Sequence, residues 1–373
     1  MKDTILFGDC KETLSEFAPQ SARTCVTSPP YYGLRDYGTA TWIGGDPNCN
    51  HRRDSKVKAE NCNTGHKNHD EMAGVGDAIY KTVCPKCGAI RQDSQIGLEE
   101  TPEEYIETRV SVFRSVRDVL TDDGTLWVNL GDSYYNYRPG KGQSYPKQSV
   151  SKTKQDLPDE CNKRGNKLDG LKEKDLIGIP WLFAFAMRND GWYLRQDIIW
   201  HKPNPMPESV RDRCTKSHEY IFLFSKNRKY HYDNEAIKEP AKDWGTRDRT
   251  NGKYHNEGTG LQPHSGLTKS YPTKNKRSVW SVTVKPYKEA HFATYPPDLI
   301  EPCILAGSEE GDTVLDPFMG AGTTAAVAKS LNRHYIGCEL NEDYGNLILK
   351  RIEDYKPVKE VAQEPCINIL DII

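Results

Sequence analysis

The chain has 373 residues, with 51 Lys and Arg against 53 Asp and Glu and a formal net charge of -2. At roughly 100–200 residues per domain this allows one large domain with inserts, and the balanced charge lacks the basic bulk that by itself announces a nucleic-acid partner. No apolar run approaches the roughly 18 residues of a membrane span, and no signal-like N-terminus is present, so a cytoplasmic protein with no membrane partner is expected.

Met1 to Cys10 reads as a strand closed by Gly8-Asp9, Lys11 to Phe17 as a short helix, and Arg23 to Thr27 as a second strand. Thr27-Ser28-Pro29-Pro30-Tyr31 therefore sits at a strand end, where open α/β sheets carry ligands. The proline pair fixes the backbone and removes two N–H donors. Ser28 Oγ and the Pro29 carbonyl can each accept one N–H of an exocyclic amino group. Such a grip draws the nitrogen toward tetrahedral shape and frees its lone pair, the kind of fixed positioning that lowers a barrier. Tyr31 offers a ring face to a base taken out of its stack. Alone, the tetrapeptide reads more readily as a plain turn.

The eleven cysteines are expected to be reduced in a cytosolic protein. Cys84-Pro85-Lys86-Cys87-Gly88 has the spacing of a zinc knuckle, and Cys49-Asn50-His51 supplies the nearest second pair. Cys49, His51, Cys84 and Cys87 are thus the ligands expected for a structural zinc within an insert spanning 46–94. Cys62, His66 and His69 are spare ligands. The polar stretch from Arg52 to Gly76 cannot build its own core, which a metal clip would remedy. A pair of surface thiols is the alternative.

Thr101 before Pro102, with Glu104 following, is a capping-box start for a helix over Pro102 to Leu120. Thr125 to Leu130 reads as a strand, Pro180 to Met187 as a helix, and Tyr193 to Trp200 as a strand. Glu219 to Ser225 with Tyr230 to Tyr232 reads as a hairpin. Arg138 to Lys174 and Lys238 to Arg277 are basic loops suited to phosphate contacts. Thr313-Val314-Leu315 leads into Asp316-Pro317-Phe318-Met319-Gly320-Ala321-Gly322 and a helix over Thr323 to Leu331. The glycines let backbone approach a bulky ligand, and the helix N-terminus faces its polar end. A further strand, His334 to Cys338, ends in Glu339, an acid placed to hold ribose hydroxyls. The alternation predicts a doubly wound, mostly parallel α/β sheet with an antiparallel edge.

These motifs, in this order, resemble the permuted (β-type) S-adenosylmethionine-dependent DNA amino-methyltransferases of restriction–modification systems and phages, in which the catalytic turn precedes the cofactor loop. The matching pieces run from Thr27 to Tyr37, from Asp123 to Tyr134, from Trp200 to Pro205, from His291 to Pro297, and through the loop at Asp316. The resemblance implies a Rossmann-like methyltransferase core over 1–45, 95–235 and 278–360, a target-recognition insert over 236–277 and a tail over 361–373. It implies a catalytic turn of Ser28, Pro29, Pro30 and Tyr31. Asp316, Pro317, Phe318, Gly320 and Gly322 would form the cofactor loop, with Glu339 on the ribose. Asp9 would face the cofactor's adenine, although it suits a helix N-cap equally. His291, Tyr295 and Pro296 would contact the methionine end, with Thr323 and Thr324 nearby.

Arg211, Arg213 and the Ser217-His218-Glu219 stretch fall near the target base in such enzymes, or else form a polar cluster that pins the loop. Trp244, Arg247, Arg249, Tyr254 and His255 are the expected DNA contacts of the recognition insert. Ser28 resembles the cytosine-N4 form, with adenine-N6 the alternative. Double-stranded DNA and a cognate restriction endonuclease are the implied partners. Amino-methylation of RNA or of a protein glutamine, and a catalytically idle DNA-binding module, are the competing readings.

Overall fold

The computed structural model describes residues 2–33, 39–51, 80, 83–135, 168–241, 272–285 and 294–356. Along the chain run β1 (Thr4–Phe7), α1 (Cys10–Thr13), β2 (Ala22–Thr27), β3 (Thr41–Ile43), β4 (Ile90–Gln92), α2 (Pro102–Val119) and β5 (Leu120–Leu130). Then follow α3 (Ile179–Asn189), β6 (Tyr193–His201), β7 (His218–Ser225), β8 (Glu239–Pro240), β9 (Thr273–Lys274) and β10 (Val279–Ser281). The last elements are α4 (Pro297–Gly307), β11 (Thr313–Asp316), α5 (Thr323–Ser330), β12 (His334–Glu339) and α6 (Gly345–Asp354). Among these helices none is long and apolar enough to cross a membrane.

Eight strands form one sheet in the order β1-β12-β11-β2-β5-β7-β6-β10. Every neighbouring pair is parallel except the two that β7 makes, with β5 and with β6. Strand alternation sorts the core into two layers. Leu126, Val128 and Leu130 of β5, with Phe222 and Phe224 of β7, face α2 and α3. Trp127, Ile221 and Leu223 face the opposite way, toward α4, α5 and α6. Burial on both faces explains why these strands read as near-continuous apolar runs.

The helix ends are set locally. The capping box forms as expected: the Glu104 N–H donates to Thr101 Oγ1 at 3.2 Å, and the Thr101 N–H donates to Glu104 Oε2 at 3.4 Å. Helix α3 starts where the Gly178 and Ile179 N–H groups donate to Asp132 Oδ1 at 3.0 and 3.1 Å, a carboxylate on the positive end of the helix.

One expectation needs correction. Tyr230 to Tyr232 forms no strand, so the hairpin is absent. β7 lies between β5 and β6, and β10 takes the edge beyond them. The two tyrosines do other work: Tyr230 OH accepts from Arg195 Nε at 3.0 Å, and the Tyr232 ring stacks over Trp127. A strand whose side chains are buried on both faces needs a hydrogen-bonded neighbour on each side, which a single hairpin partner cannot give it.

From β11 the chain winds outward through α5 to β12, and from β2 outward through α2 to β5. The crevice of such a sheet opens between the two divergent strands, at their carboxyl ends. Strand β12 can lie close to the loop after β11 only because Gly337 has no side chain. A Cβ there would meet Asp316 O at 2.6 Å and Met319 Cε at 2.2 Å. Gly337→Ala is expected to lower folding stability by roughly 1–3 kcal/mol, as overpacking does. The midpoint of denaturant unfolding checks this, and an unchanged midpoint would contradict it.

Candidate active site

A cleft of about 750 Å³ opens at the carboxyl ends of β1, β2, β5, β11 and β12. Ser28, Pro29, Pro30 and Tyr31 line it from one side, and Pro317, Phe318, Gly320, Thr323 and Glu339 from the other. Asp9 and Tyr295 also line it. The two motifs, separated by almost the whole chain, thus face one space.

The Ser28 turn is held from behind. The Pro30 carbonyl accepts from Tyr105 OH at 2.9 Å and from the Arg109 guanidinium. Arg109 also donates to Tyr105 OH at 2.9 Å and lies over the Phe318 ring at 5.4 Å, so one buried cation touches both sides of the cleft. No hydrogen bond to the Pro29 carbonyl is found among the described residues, which leaves that oxygen available as an acceptor. Ser28 Oγ donates to Asn129 Oδ1 at 3.3 Å, so its lone pairs are not consumed by the protein.

Asn129 belongs to a network that sequence reasoning did not assemble. Its amide donates to Tyr220 O at 3.0 Å and to Glu219 Oε2 at 3.3 Å. Tyr31 OH donates to Glu219 Oε2 at 2.7 Å and also lies 3.1 Å from Asn129 Oδ1. Glu219 is ion-paired with Lys202, whose ammonium sits 4.2 Å from the centre of the Trp200 ring. Burial, and then the Glu219 charge, push the Tyr31 phenol well above its ordinary range, so it stays a donor. Asn129 carried a readable signal: it is the one polar residue in the buried run Leu126-Trp127-Val128-Asn129-Leu130. A buried amide in such a strand needs a specific partner. Glu219 and Lys202 have no comparable local mark, since the order of β5, β7 and β6 brings them together.

The cofactor-loop residues divide into those that face the cleft and those beneath it. Gly320 has a positive φ of 53°, and its N–H donates to Glu339 Oε2 at 2.7 Å. Asn341 N donates to Glu339 Oε1 at 2.9 Å. Burial raises the Glu339 carboxyl to about 7. Asp316, Gly322, Thr324 and Pro296 do not line the cleft. The buried Asp316 carboxylate accepts from Thr27 Oγ1 at 2.6 Å and from the Phe318 N–H at 3.0 Å. It also accepts from Thr324 Oγ1 at 2.5 Å and from Tyr295 OH at 3.1 Å. Gly322, with φ 79°, permits close packing on α6, because a Cβ there would meet Ile348 Cγ2 at 2.7 Å. Pro296 caps α4. Asp9 accepts from the Lys11 N–H at 2.9 Å, so it caps α1 while lining the cleft.

Lys216, His218 and Glu219 border the cleft. Arg213 donates to Glu208 Oε2 at 2.5 Å, and its guanidinium lies 3.8 Å from the Tyr134 ring centre. Arg211 is exposed and is not among the residues that line the cleft. Cys49, His51, Cys84 and Cys87 converge beside the β3–β4 pair, outside the cleft. His291, Trp244, Arg247, Arg249, Tyr254 and His255 lie outside the described residues, as do Cys62, His66 and His69.

The geometry can be set beside known proteins. Residues 22–350 match the N6/N4 methyltransferase family model, described as DNA methylase. The chain is 39% identical over 350 residues to the Type II methyltransferase M.XycI of Xanthomonas campestris pv. cyanopsidis, covering 94% of this chain and 87% of that protein. It is 39% identical over 353 residues to the Type II methyltransferase M.SmaI of Serratia marcescens, covering 93% and 90%. Among solved structures, the cytosine-N4-specific PvuII DNA methyltransferase shares the fold, with a TM-score of 0.53 at 15% identity over 96% of this chain and 89% of that one. With its Ser28 turn placed before its Asp316 loop, the chain belongs to the N4/N6 amino-methyltransferase family of DNA methylases, in the permuted arrangement.

Proposed function

We propose that this protein methylates the N4 amino group of cytosine, taken out of a specific duplex DNA site, with S-adenosylmethionine as methyl donor. The observation that carries the reading is the facing of Ser28 and Pro29 against Phe318, Gly320 and Glu339 across one cleft. The cleft has the size of a ligand pocket and joins apolar walls to a few convergent polar groups. The cofactor's fit rests on two features. Gly320 lines the cleft with a positive φ of 53°, a conformation that favours glycine, so bare backbone faces the ligand space there. The Glu339 carboxylate, satisfied so far by two backbone donors, keeps lone pairs for ribose hydroxyls.

S-adenosylmethionine supplies an electrophilic methyl group when bound. The chain's residues prepare the acceptor. A cytosine amino group is a poor nucleophile because its lone pair is conjugated with the ring. Ser28 Oγ and the Pro29 carbonyl accept its two N–H groups, and Asn129 sets the direction of the Ser28 hydroxyl. Fixed acceptors of this kind stabilise positive charge as it develops on the nitrogen. Tyr31, anchored by Glu219, supplies a face for the flipped base.

Two features favour cytosine over adenine. Ser28 is neutral where the adenine form of the motif usually carries a carboxylate. Lys202 and Lys216 border the base side of the cleft and offer donors to the O2 carbonyl, which adenine lacks. The segment 236–277 is the proposed target reader, its neck closed by the antiparallel pairing of β8 with β9. A cognate restriction endonuclease is the partner that site-specific protection of DNA implies.

Nucleoside mass spectrometry of duplex DNA incubated with the protein and S-adenosylmethionine is expected to give N4-methylcytosine. N6-methyladenine would overturn the base assignment, and no methylated base would overturn the function. Ser28→Ala is expected to lower turnover by on the order of 10²-fold, as loss of one fixed transition-state contact does. Cofactor affinity, measured by calorimetry, should change less than about twofold on the same reasoning. Equal losses in both would make Ser28 a structural residue.

Glu339 gives a pH signature. Its carboxyl titrates at about 7 instead of its usual 4.5 because of burial. Ribose hydroxyls donate to the ionised form, so binding should favour loss of a proton. Cofactor affinity should therefore rise between about pH 6 and about pH 8, with proton release. In the cofactor-free protein the sign reverses: the folded state holds the proton more tightly than the unfolded chain. Stability should thus fall as pH rises from 4.5 through about 7. Glu339→Gln should abolish both dependences. A wild-type affinity independent of pH would contradict the assignment.

A further inference from the structure

We infer that Cys49, His51, Cys84 and Cys87 hold one zinc ion, and that this ion braces the Ser28 turn through the segment that leads from β4 to Gly97. The ligand atoms of the four residues all lie within 4.8 Å of one another. Cys49 Sγ and Cys84 Sγ are 3.7 Å apart, and Cys87 Sγ and His51 Nδ1 are 3.5 Å apart. A tetrahedral zinc, with bonds of about 2.3 Å to sulfur and about 2.0–2.1 Å to nitrogen, sets edges of about 3.8 Å and about 3.6 Å for such pairs. The sulfur separation is far beyond the roughly 2.05 Å of a disulfide. Three thiolates and one imidazole are a closed structural set, with no position left for chemistry.

The backbone is shaped to the cluster. Two turns face each other. In one, the Cys49 N–H donates to Asp46 O at 3.0 Å; in the other, the Gly88 N–H donates to Cys84 O at 2.7 Å. Gly45 can come this close only without a side chain, since a Cβ would lie 2.8 Å from Cys87 Sγ. His51 adopts a positive φ of 50°, costly for a residue with a side chain. Its ring is held by stacking on Trp42, with centroids 4.2 Å apart.

Among the described residues this hairpin has almost no apolar core. In 41–51 and 83–92, the described residues that are fully buried are Cys84 and Ala89, while Ile43, Val83 and Ile90 are exposed. Two strands of three residues each, without a core, are marginal in water. A metal supplies the missing cohesion.

The hairpin continues into the catalytic turn. Asp93 pairs with Arg91 at 2.9 Å and accepts from the Gln95 N–H at 3.0 Å. Gln95 and Ile96 line the cleft. Gly97 O accepts from the Gly33 N–H at 2.9 Å, and a Cβ on Gly97 would lie 2.9 Å from Tyr31 O. The metal cluster is thus one short strand away from the residues that pack on Tyr31.

The test needs no methylation assay, so it stands apart from the proposed activity. Elemental analysis of the full-length protein after dialysis is expected to give one zinc per chain. Replacement by cobalt is expected to give the strong visible absorption of a tetrahedral thiolate site. Cys87→Ser should lose the metal, and amide exchange at residues 28–33 and 94–97 should quicken. If that variant does not fold, removal of zinc from the wild type with a chelator provides the same comparison. A wild-type protein that neither retains zinc nor takes up cobalt overturns the site. Metal loss with unchanged exchange at those residues overturns the brace.

Discussion

The structure depends on one buried carboxylate. Asp316 ends β11, and its oxygens accept from Thr27 at the end of β2, from the Phe318 N–H in the glycine loop, and from Thr324 and Tyr295. Burial raises its pKa, against the pull of those four donors. A buried charge survives only when its lone pairs are satisfied. The donors come from the end of β2, the glycine loop, α5 and the segment before α4, so satisfying the carboxylate ties these elements together beneath the cleft. The last residue of the strand that carries Ser28 is thereby tied to the loop that carries Gly320. Arg109 adds a second tie, from the Pro30 carbonyl to the ring of Phe318.

The parts of the site that the sequence made legible are those needing unusual residue types in one place. A proline pair after a strand, or glycines between a strand and a helix, can do little else than shape a turn or admit a ligand. The Thr101-to-Glu104 capping box was legible for the same reason, because both of its bonds are local. Asp316 was legible as a member of the loop, but its role was not. Its carboxylate points inward, toward donors brought by β2, α5 and the segment before α4. No local pattern records such a meeting.

The same limit explains the Asn129, Glu219 and Lys202 network and the misread hairpin. Alternating tyrosines at Tyr230 and Tyr232 look like a strand, whereas one takes a hydrogen bond from Arg195 and the other covers Trp127. Where β7 would insert depended on how many buried faces needed a neighbour, which is a property of the whole sheet. Cys49, His51, Cys84 and Cys87, beside β3 and β4, stood at the other extreme. Their chemistry was visible in residue type and spacing, and the structure brings their donor atoms together.

If Asp316 couples the two walls, then Thr27, which does not line the cleft, should matter to both. Thr27→Val keeps the shape and removes one donor from a buried acceptor. Cofactor affinity by calorimetry and methyl transfer to duplex DNA, measured on the same folded variant, test the coupling directly. Both are predicted to fall, affinity by about tenfold or more, the scale of an unsatisfied buried group. A folded Thr27→Val protein with wild-type affinity and turnover would contradict the account.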